Sequence, residues 1–63
     1  MKYRVIIESL NYIGNVDERQ VVGEFISKSW AEDFAEMARA HLKEAIKHRM
    51  LRVLVEKIED EYF

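Results

Sequence analysis

The stretch KYRVIIESLN, residues 2–11, decides how the rest of the chain is read. Side chains of a strand point to alternate faces, so Tyr3, Val5, Ile7 and Ser9 share one side and Lys2, Arg4, Ile6, Glu8 and Leu10 share the other. The β-branched centre, Val5-Ile6-Ile7, suits a pleated backbone. A lone strand is not stable, so partners are sought downstream.

The first partner follows a turn. Gly14-Asn15 tolerates positive φ and predicts a two-residue hairpin, after which extended character resumes over residues 19–27 through Val21, Val22, Phe25 and Ile26. The facing of this second strand stays open. A strict two-residue turn sets Val22 and Ile26 beside Val5 and leaves Val21 and Phe25 outside, whereas one bulge exchanges the two sets.

A helix is expected over residues 29–48. Ser29 and Glu32 have capping-box spacing, in which hydroxyl and carboxylate each satisfy an orphan backbone N–H. From Trp30 the apolar positions 30, 31, 34, 35, 38, 42, 45 and 46 fall in one broad stripe, with Asp33, Glu36, Lys43, Glu44 and Lys47 opposite. Acids lie early, at Glu32, Asp33 and Glu36, and bases late, at Lys43, Lys47, His48 and Arg49, as the helix dipole favours. A third strand is expected over residues 50–58, with Leu51, Val53 and Val55 on one face and Met50, Arg52, Leu54, Glu56 and Ile58 on the other. Residues 59–63 form an acidic tail.

The expected fold class is therefore α+β: a single small domain of order β-β-α-β, with a three-stranded antiparallel-type sheet and one helix packed on one face. Its size sets limits. With 63 residues, no Cys and no Pro, the chain stands near the lower edge of independent folding, although 49% hydrophobic residues are ample for a core. Disulfides, zinc fingers and cysteine-bound iron–sulfur clusters are excluded. Association with a second copy is the simplest source of added stability, so a homodimer is expected.

Apolar runs reach three residues, at Val5–Ile7 and Val53–Val55, against the roughly 20 needed to cross a bilayer, so no membrane span is expected. The N-terminal residues turn polar at Glu8 before a signal-peptide core can form, and a cytoplasmic location is the simplest expectation.

Few groups are arranged for chemistry. His41, Glu44 and His48 lie along one side of the expected helix, but their i, i+3, i+7 spacing is not the i, i+4 pair of helical metal sites, and a semi-buried His41 and a C-terminal His48 are the plainer reading. Ser9, Ser27 and Ser29 have no partner set for nucleophilic catalysis, and Gly14 and Gly23 are too far apart to cradle a phosphate. No enzyme activity, cofactor or metal is expected.

What stands out is the second sheet face. A single helix covers one side, which leaves Arg4, Ile6, Leu10, Arg52, Leu54, Glu56 and Ile58 on the other as a candidate interface, an apolar strip interleaved with charge. Scattered surface Ile and Leu are ordinary in themselves. A non-enzymatic interaction module, homodimeric and acting as regulator or inhibitor of a larger protein, is the functional expectation.

Nucleic-acid binding is the alternative, through Arg39, Lys43, Lys47 and Arg49 in the basic second half of the helix. A formal net charge of −2 counts against it. A third possibility presents Glu8, Asp17, Glu18, Glu24, Glu56 and the tail to a basic groove. In element order, and in the Lys2-Tyr3-Arg4-Val5 and Ser29-to-Glu32 patterns, the chain resembles small cytosolic proteins of phages and mobile elements, one such arrangement being similar to a phage inhibitor of bacterial RNA polymerase. The resemblance implies a small binding protein or inhibitor and carries no functional residue with it.

Overall fold

In a computed structural model describing residues 2–59, the chain forms β1 (Lys2–Leu10), β2 (Val16–Phe25), α1 (Lys28–His41), α2 (Lys43–Lys47) and β3 (Leu51–Ile58). The expected α+β architecture is present: three antiparallel strands in the order β2-β1-β3 with the helix on one face. Residues 60–63 of the acidic tail lie outside the described residues.

The hairpin between β1 and β2 is longer than the expected two-residue turn. Asn11 N–H donates to Asn15 O at 2.9 Å, Gly14 N–H to Asn11 O at 2.9 Å, and Asn11 Oδ1 accepts from the Ile13 and Asn15 amides. The loop is thus Tyr12-Ile13-Gly14, with Gly14 at φ 91 supplying the left-handed residue that closes a three-residue hairpin. Strand β2 accordingly begins at Val16 and ends at Phe25, earlier than expected at both ends.

Its facing follows neither simple scheme. The register steps from Val5↔Gly23 to Ile6↔Val21, so Val22 is an extra residue, and a second step beyond Ser9↔Glu18 leaves Asp17 extra. The first bulge turns both Val22 and Phe25 toward the helix, while Val21 and Glu24 stay on the open face with the residues opposite them. Gly23 completes this arrangement. A Cβ there would lie 2.9 Å from the Phe25 ring, which instead occupies that space and meets Phe34 at 5.4 Å between centroids.

The helix is capped two residues earlier than expected. Ser27, extended at φ −118, accepts from Trp30 N–H at 3.4 Å and shares a hydrogen bond with the Ser29 hydroxyl. The first turn then lacks acids, and Glu32 and Asp33 fall in the second. At the far end Leu42, at φ −105 and ψ 22, divides α1 from α2, yet Leu42 N–H still reaches Ala38 O and Ile46 N–H reaches Leu42 O. The interruption is confined to one residue's backbone angles. Chain reversal into β3 uses Arg49 at φ 61, with Met50 N–H bonded to Ala45 O and Arg49 N–H to Ile46 O, the paired bonds of a Schellman ending.

The core between helix and sheet is built on Val5, Val53, Ala31 and Ala35, with Tyr3, Ile7, Val22, Phe25, Phe34, Leu42, Ile46 and Val55 packed around them. The two alanines bring α1 close to β1 and β3. Trp30, expected in the buried stripe, is 69% exposed, because the seam of the helix runs through Ala31 and Ala35 and leaves Trp30 to one side. Arg39, on α1, donates to Val53 O at 3.0 Å.

Candidate interaction surface

The open face is ordered in rows that cross all three strands. Alternation places residues 2, 4, 6, 8 and 10 of β1 there, and the register with β3 sets Ile58, Glu56, Leu54 and Arg52 opposite the first four. Leu10 N–H donates to Met50 O at 2.8 Å and brings Met50 alongside. On β2 the bulges keep Glu24, Val21, Arg19 and Val16 in step with Arg4, Ile6, Glu8 and Leu10. Read across the sheet, the rows are Val16–Leu10–Met50, Arg19–Glu8–Arg52, Val21–Ile6–Leu54 and Glu24–Arg4–Glu56, with Lys2 and Ile58 beyond.

All seven sheet-face residues singled out in the sequence thus share one surface. Sequence reasoning left the β2 facing open, with Val21 outside in only one of its two schemes, and did not assign Arg19 to this face, since only the bulge positions decide which β2 side chains arrive there.

The charged rows are knitted together. Glu8, 7% exposed, receives Arg52 Nε at 2.6 Å and Arg19 Nε at 3.6 Å. Arg4 Nε meets Glu24 at 3.1 Å, and Arg19 Nη2 meets Glu56 at 3.0 Å. The Arg19–Glu56 pair joins opposite corners of the square centred on Ile6, which corrects one expectation: Ile6 has no exposed surface although no helix lies over it. The Arg19–Glu56 pair spans the square around Ile6, and long side chains of this kind cover apolar surface with their aliphatic stems. Val16, Val21 and Met50 remain substantially exposed.

The same pairing bears on the acidic-surface possibility, because Glu8, Glu24 and Glu56 are each matched to arginine. Of the basic residues considered for nucleic acid, Arg39 is directed to the Val53 carbonyl, Lys43 and Lys47 are exposed on α2, and Arg49 occupies the left-handed turn before β3. Arg49 lines a hollow of about 790 Å³ with Tyr12, Ile13, Ile46 and Met50. A shallower groove of about 220 Å³ lies between α1 and β2, lined by Phe25, Trp30, Asp33, Phe34 and Met37.

Among the described residues, no three His, Asp or Glu side chains converge as a metal site, and His48 Nε2 stands 3.8 Å from Glu44. Among the described residues, no helix is long and apolar enough to cross a membrane. Compared with protein-family models, curated proteins and solved structures, the chain matches none.

Proposed function

We propose that this chain is a small non-enzymatic protein-interaction module that self-associates through its open sheet face, and in that form regulates or inhibits a larger protein. The observation that carries this reading is the row order of the face: apolar rows holding the exposed Val16, Val21 and Met50 alternate with charged rows spanning three strands. Apolar surface rimmed by arginine and carboxylate is the composition of a recognition patch. A 63-residue domain with two β-branched side chains fully buried, Val5 and Ile6, also has much to gain from covering more surface.

Light scattering at micromolar concentration tests the proposal. The expected result is a species of twice the 7.5 kDa chain mass, reduced to one chain mass by Leu54→Lys while the circular dichroism spectrum is kept. A single-chain mass for the unaltered protein, or an assembly indifferent to Leu54→Lys, would overturn it.

A further inference from the structure

We infer that a second copy of this chain docks on the open face with the two-fold axis along the Val21–Ile6–Leu54 row, a geometry that rests on the self-association proposed above. The charge signs select it. Above the central row stand Arg19, Glu8 and Arg52, plus-minus-plus from β2 to β3; below it stand Glu24, Arg4 and Glu56, minus-plus-minus. Rotation by half a turn about the central row exchanges the two charged rows and keeps each strand over its own copy. By register position Arg19 then faces the second copy's Glu24, Glu8 its Arg4 and Arg52 its Glu56; Glu8 lies buried beneath Arg52 and Arg19, so the pairings open to the second copy are Arg19–Glu24 and Arg52–Glu56.

The other aligned two-fold, along β1, has the reverse effect. It lays β2 over β3 of the second copy, setting Arg19 against Arg52, Glu24 against Glu56, and Glu8 and Arg4 against themselves. Like charges directly opposed are strongly disfavoured, so one arrangement is specified and the other rejected.

Apolar contacts do not separate the two axes, since the central row meets itself in both and Leu10 comes over Lys2 in the proposed one. Val21 and Leu54 lie on the axis and meet their own copies, and Met50 comes over Ile58. Packed sheets sit about 10 Å apart with strand directions within roughly 30°, an offset that long Arg and Glu side chains can span at the corners. Three strands of this length present on the order of 500 Å² per copy, which places the dimer at the weak, reversible end of specific interfaces.

Chemical cross-linking tests the axis, because the chain contains no cysteine and every thiol is placed by substitution. Val21→Cys, at an exposed position, is expected to link to its own copy through a short bismaleimide. Failure of that link, together with efficient linking of Val21→Cys to Leu54→Cys, would overturn the inference in favour of the β1 axis and leave self-association standing.

Charge exchange supplies a second readout. Arg52→Glu alone and Glu56→Arg alone each oppose like charges twice per dimer and are expected to weaken self-association about tenfold, whereas an equimolar mixture of the two restores it in the heterodimer. Glu24→Arg, whose ion pair with Arg4 is exposed, provides the same weakening without altering the surroundings of Glu8. Unchanged or tighter association in the single variants would refute the axis, and an unaltered protein that stays one chain in mass would refute the self-association beneath it.

Discussion

Arg49 holds φ 61 at the junction of α2 and β3, where the Schellman bonds of Met50 and Arg49 require a left-handed residue. A side chain with a Cβ adopts this conformation at about 1–2 kcal/mol above the right-handed one. Glycine removes that strain but enlarges the entropy of the unfolded chain, an offset of about 0.4–1 kcal/mol. The cation also contributes a few tenths of a kcal/mol at a helix C-terminus. Arg49→Gly should therefore stabilise the domain by about 0.5 kcal/mol, which for a chain of this length raises Tm by about 2–4 °C. Arg49→Ala, which loses the charge and keeps the strain, should show no gain. Thermal unfolding followed by circular dichroism at one fixed protein concentration measures both, since association would itself shift Tm. A Tm for Arg49→Gly at or below that of Arg49→Ala would show that the left-handed turn is not strained, and the reasoning would fail.

Two further outcomes follow from packing and capping. Ile6→Ala removes a side chain with no exposed surface and should cost about 2–5 kcal/mol by urea denaturation, although no helix touches that face; a loss below about 1 kcal/mol would mean the arginine stems do not shield it. Ser27→Ala should cost about 1 kcal/mol and Ser29→Ala distinctly less, because the Ser27 hydroxyl is the acceptor for Trp30 N–H. The reverse order would restore Ser29 as the cap.

The faces of β1 and β3 were legible in the sequence because strict alternation runs through Tyr3-Val5-Ile7 and Leu51-Val53-Val55 without interruption. Strand β2 was not, since two residues, Asp17 and Val22, are extra in its ladder, and a bulge leaves the local residue pattern looking like either facing. The helix boundary failed for a different reason. Ser27 and Ser29 are both competent caps, and Glu32 three residues after Ser29 made the later one look stronger, whereas the chain leaves β2 early enough for Ser27 to be used. Trp30 shows the limit of wheel arguments: a stripe broad enough to include it was real, but Ala31 and Ala35 hold its centre and the indole lies at its margin. Of the candidate surface, the two strands with uninterrupted alternation were readable, and the third was hidden behind its bulges. The ion-pair cover over Ile6 was hidden too, because it depends on Arg19 arriving from β2.

The two outer strands have a consequence for how large an assembly can become. An open sheet can recruit further strands along its margins without limit, which is the route to fibres. Here the β2 margin is broken by bulges at Asp17 and Val22, and the β3 margin has the Val53 carbonyl already taken by Arg39. With α1 seated on one broad side, the opposite side is left as the place where a like molecule can add. In the pairing proposed above, stacking would use that side up in both molecules and growth would stop at a pair.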